Sequence, residues 1–161
     1  MPATTSAMDR WVGRLSVVTA ALAFVVLLSS LVCGFVSREL LTRGLVWSDE
    51  LARLSFVWCA LFGAAAAWSN DGLHRIDLFV RGLSASRHRL AALFSYALIV
   101  FVLLYLVNHG WSMTARAMDQ TTSTLQISGA WFYVPLPAAA GLMLVTTLGR
   151  VSELVLTKRG F

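Results

Sequence analysis

The stretch LSVVTAALAFVVLLSSLVCGFVS, Leu15 to Ser37, decides the fold: it holds no Asp, Glu, Lys or Arg, and its apolar residues run on without alternation. A helix needs roughly 20 such residues to cross the hydrocarbon core of a bilayer. Strands of a membrane barrel are about 10 residues long and alternate apolar with polar positions, which excludes them here. Arg10 and Arg14 supply the basic flank of a signal peptide, but the apolar part is too long and no small-x-small cleavage site follows it. Cys33, preceded by Leu31 and Val32, makes a poor lipoprotein signal. The segment reads as a retained span.

Three more runs lack charge: Leu54 to Asn70, Leu90 to Ala115 and Gln120 to Gly149. Over 161 residues the chain is 58% hydrophobic and 13% charged, far from soluble usage, and a core of this size could not hide that surface from water. The fold class is therefore all-α integral membrane, one membrane domain over residues 1–161 with spans at about 12–36, 50–70, 90–115 and 129–156. Residues 1–9, MPATTSAMD, read as a disordered lead before Trp11 reaches the headgroups.

An even number of spans puts both termini and the middle loop on one side. That side holds Arg10, Arg14, Arg75, Arg81, Arg87, Arg89, Arg150, Lys158 and Arg159, against Arg38, Arg43, Arg53 and Arg116 opposite. The positive-inside rule then puts the termini in the cytoplasm, and the net charge of +5 reflects topology, with no call for nucleic acid as a partner. In the middle loop Leu73, Ile76, Phe79, Val80 and Leu83 recur at helical spacing opposite His74, Arg75, Asp77 and Arg81. The pattern predicts an interfacial amphipathic helix over 73–84 that touches anionic lipid.

The second span begins with charge. Ser48 is placed to cap its first turn, Asp49 and Glu50 face the positive end of the helix dipole, and Arg53 can pair with either acid. Beyond them Ser55, Cys59, Gly63 and Ala67 recur every four residues, a ridge that admits a neighbouring backbone. The segment before the span, RELLTRGLVWSDE with Trp47, stays near the membrane surface. Trp131, Phe132 and Tyr133 form an aromatic belt at the start of span four, and Pro135 and Pro137 sit in its first turns, where a missing amide costs least.

Chemistry is sparse. Cys33 and Cys59 have neither CxxC spacing nor a neighbouring His, and read as small hydrophobes. Haem ligation needs two facing histidines, whereas only His109 lies within a span. No phosphate-cradling loop occurs, and no midplane charges or broken helices of the kind that hold substrate and ion in transporters. The chain is therefore not expected to be an enzyme, nor to carry catalytic, substrate, metal or cofactor residues. An accessory or scaffold subunit fits best; a small membrane-anchor or electron-transfer subunit and a self-sufficient oligomeric channel compete with it.

Several pieces, in order along nearly the whole chain, resemble a known family. They are WSDELARLSFVW, in which Trp47, Glu50, Arg53 and Trp58 stand in a W-x-x-E-x-x-R pattern; Gly63; His74-x-x-Asp77, with Arg75 where the family has a hydrophobic residue; and TSTLQISGAWFYVPLP, with Trp131, Pro135 and Pro137. Together they are similar to the small, DctQ-type membrane subunit of the tripartite ATP-independent periplasmic (TRAP) transporters of the bacterial inner membrane. The resemblance implies a periplasmic binding protein that captures a solute, typically a carboxylate, and a large multi-span permease that carries the substrate and sodium sites. It implies an elevator-like motion of that permease, against which the small subunit is a fixed brace. Glu50 with Arg53 would then form an interfacial ion pair toward the partner, and the outer loop TTSTLQ would lie near the binding protein. Trp47, Trp58, Cys59, Gly63, Ala67, His74, Asp77, Trp131 and Pro135 join Glu50 and Arg53 as partner-interface or structural candidates.

Overall fold

A computed structural model describes residues 7–40, 44–71 and 85–156. They form helices α1 (Ala7–Leu40), α2 (Val46–Asp71), α3 (Ala85–Ala117), α4 (Ala130–Tyr133) and α5 (Pro135–Leu156), with one isolated bridge, Thr121 to Ser128, in the loop between α3 and α4. Four segments are long and apolar enough to span: Asp9–Leu40, Val46–Asn70, Phe94–Ala117 and Ala130–Ser152. The last comprises α4 and α5, whose junction at Val134 stays in helical backbone geometry while Val134 and Ala138 donate to Ala130 and Val134 across the prolines. The interfacial helix expected over 73–84, with His74 and Asp77, lies outside the described residues.

Two expectations about helix starts are corrected. The lead ends sooner than its polar composition suggested, since α1 begins at Ala7 and Asp9 is buried. Ser48 is the third residue of α2 and its hydroxyl donates to the Leu45 carbonyl at 2.6 Å, so it closes the turn before the helix and caps no amide.

The helices stand in a row, α1–α2–α5–α3. Edge helices α1 and α3 bury 11% and 17% of their span windows, against 28% and 33% for the two central spans. Small side chains set the tightest contact. On α1 the inward positions are Gly13, Ser16, Ala20, Ala23, Leu27, Ser30, Gly34 and Ser37; on α2 they are Ser48, Ala52, Ser55, Cys59, Phe62, Ala66 and Ser69. Both series alternate steps of three and four, the spacing of a left-handed antiparallel pair. A Cβ on Gly13 would stand 2.8 Å from Ser69 Oγ and one on Gly34 2.6 Å from Ser48 Oγ, while Ser37 Oγ accepts the Leu45 amide. These contacts fix one register from end to end. Lipid offers no hydrophobic drive for helix pairing, so close backbone approach supplies the attraction.

The ridge read at four-residue spacing departs from this face. Each step of four turns a helix about 40° beyond a full circle. Ser55 is buried and Cys59 half-buried, but a Cβ added at Gly63 would meet nothing within 4 Å, and Ala67 is exposed.

Candidate partner interface

The row has two ends, here called base and crown. At the base, the start of α1 and the ends of α2 and α5 meet around Arg150, which is 7% exposed. Its guanidinium donates to the carbonyls of Trp68 at 3.1 Å and Ser69 at 2.5 Å, and Nε stands 3.6 Å from Asp9 Oδ2. Those carbonyls belong to the last turn of α2, where a helix has no internal donors left and carries partial negative charge. Asp9 in the first turn of α1 meets the opposite polarity. Trp68 Nε1 donates to Thr147 Oγ1 at 3.1 Å, adding a second tie between α2 and α5. A lone arginine here would be costly; paired and donating to two carbonyls, it joins three helices.

The crown is built around Glu50. Its Oε2 accepts the amides of Thr124 at 3.0 Å and Leu125 at 2.9 Å, and the hydroxyls of Thr122 and Thr124 reach the same carboxylate. The loop is shaped to present those amides: Thr122 donates to Ile127 O, Gly129 to Gln120 O, and Gln126 takes a left-handed φ of 55°, uncommon for a residue with a side chain. Asp49 pairs with Arg38 of α1 at 2.5 Å, both side chains 56% exposed. Such exposed pairs contribute about 0–1 kcal/mol, so this one orients more than it stabilises.

Arg53 is exposed and bonds to neither acid among the described residues. The expected Glu50–Arg53 pair is thus replaced: the loop amides claim Glu50, and Arg38 claims Asp49. Below Glu50, Trp58 is half-buried; it donates to the Trp131 carbonyl at 3.0 Å and stacks on Phe62 with centroids 5.5 Å apart. Trp131 itself is 53% exposed, Trp47 lies exposed at the helix entry, and Pro135 is fully buried at the start of α5. The structure therefore gathers Glu50, Trp58 and Trp131 with the crown loop, and leaves Arg53, Gly63 and Ala67 on open faces. Sequence reading missed the Asp9–Arg150 pair, whose members lie at opposite ends of the chain.

A multi-pass helical membrane protein with its polar ties at the two ends and broad apolar faces between them is the class that this geometry defines. A family profile for the DctQ component of tripartite ATP-independent periplasmic transporters matches residues 27–157. The chain belongs to that family: it is a TRAP transporter small permease subunit, a multi-pass protein of the bacterial inner membrane. It is 28% identical over 138 residues to the sialic acid TRAP transporter permease protein SiaT of Haemophilus influenzae, covering 85% of this chain but 21% of that protein. It is 29% identical over 120 residues to the sialic acid TRAP transporter small permease protein SiaQ of Vibrio cholerae, covering 74% of this chain and 69% of that protein. The chain thus spans about a fifth of the first relative and about two thirds of the second.

Proposed function

We propose that this chain is the stationary brace of a three-part importer, holding a large permease subunit in the membrane while that subunit carries a small organic acid inward with sodium. One observation carries the reading: the sequence like this chain makes up a fifth of a single permease polypeptide in Haemophilus influenzae and stands as a small permease protein in Vibrio cholerae. A segment that works both joined and separate belongs beside the remaining four fifths. An open row with two thirds or more of every span window unburied suits a surface that a larger membrane protein covers.

In this arrangement the base faces the cytoplasm and the crown the periplasm, where the loop pinned by Glu50 meets the solute-binding protein. The open positions Gly63 and Ala67 on α2 receive a partner side chain or helix, and Arg53 pairs outward with partner or headgroup. Sodium and solute sites reside in the large subunit, and this chain holds no cofactor. The relatives name sialic acid, a carboxylate, which supports an acidic solute here.

Co-expression with the large permease of the same organism tests the reading. The two are expected to purify together at one to one, and deletion of this chain is expected to abolish uptake into cells. Uptake unchanged without this chain would overturn the proposal.

A further inference from the structure

We infer that the outward face of α3 is where the large permease seats, and that the outward face of α1 looks into lipid. Among the described residues, the packed side of α3 is marked by Tyr96, Leu103, Gly110 and Thr114, which are buried. At 100° per residue, Tyr105, Asn108, His109 and Ser112 fall on the opposite side, and all four are exposed. The Tyr105 and His109 rings stack with centroids 3.9 Å apart, yet none of the four side chains makes a hydrogen bond among the described residues.

Depth makes this matter. Gly110 packs against Pro137, whose ring would lie 2.9 Å from a Cβ placed there. Pro137 follows the belt residue Trp131 by six positions, so Asn108 and His109 lie about 9 Å below the belt, within hydrocarbon. An imidazole and a carboxamide turned outward at that level are unfavourable against lipid tails, and such groups in membrane helices face protein or water. The α1 edge has no such group. Its outward residues Val18, Leu22, Val25, Val32 and Val36 are apolar, and Ser29 among them donates to its own Val25 carbonyl.

The occupant is a membrane helix of the large permease that offers hydrogen-bonding groups at the depth of His109. This rests on the brace reading above, and the test separates the two. A photo-crosslinking phenylalanine analogue is placed singly at Tyr105 or Ser112 on α3, and at Val25 or Val32 on α1, in the full chain co-expressed with the large permease. The α3 positions are expected to crosslink to that subunit and the α1 positions to lipid alone. Replacing both Asn108→Leu and His109→Leu, which adds only apolar surface to an outward face, is expected to reduce the co-purified large permease about tenfold while helicity is retained. Crosslinks from α1 and none from α3 would overturn the assignment, as would α3 crosslinks only to a second copy of this chain. Unmodified chain that fails to co-purify with the permease would overturn the brace itself.

Discussion

Arg150 shows how much one side chain can hold in this chain. It satisfies two carbonyls of α2 and faces the carboxylate of Asp9, so its loss leaves a buried acid and two buried acceptors at once. Arg150→Met is expected to lower stability by about 3–5 kcal/mol, read as a fall in thermal midpoint in detergent. Asp9→Asn should cost less, because both carbonyl bonds survive it. At the crown, Glu50→Ala removes the acceptor of two loop amides. Faster deuterium uptake confined to residues 121–128 is the expected result, with Glu50→Gln intermediate; an unchanged loop would show that the carboxylate does not hold it.

At the scale of the element, the α1–α2 pair depends on glycines at its two ends. Gly34→Val would drive a branched side chain into Ser48, whose hydroxyl is already committed to Leu45, and the helices must part. Lower thermal stability is the expected outcome. Gly63→Ala enters open space and should raise the stability of the isolated chain by up to about 1 kcal/mol, through helix propensity alone. The larger Gly63→Leu should leave the isolated chain folded yet weaken co-purification of the permease. Span existence was legible because apolar length is a one-dimensional signal. The inward face was legible too, in the alternating steps from Ser48 to Ser69 and from Gly13 to Ser37, but a strict step of four slides off that face within three turns. Pairings between distant residues, Asp9 with Arg150 or Glu50 with Thr124, leave no local trace, since Asp9 serves equally well as the first-turn charge of α1 and Glu50 as a partner for Arg53 one turn on.

For the whole molecule, the row of helices with the start of α1 and the end of α5 at its base makes orientation testable. A fluorescent protein fused after Phe161 is expected to be bright, as folding in the cytoplasm allows; a dark fusion with normal protein levels would reverse the orientation. The crown would then lie in the cytoplasm, and its role beside a periplasmic binding protein would fall with it.

The Arg150 tie also has a consequence for biosynthesis. Asp9 is synthesised long before Arg150, so the ends of the first two helices stay open until α5 brings the cation that closes them. Closing that contact marks the arrival of α5: a product stopped before residue 150 would present an unmatched acid and an uncapped helix end to membrane quality control, while one that includes α5 would hide both.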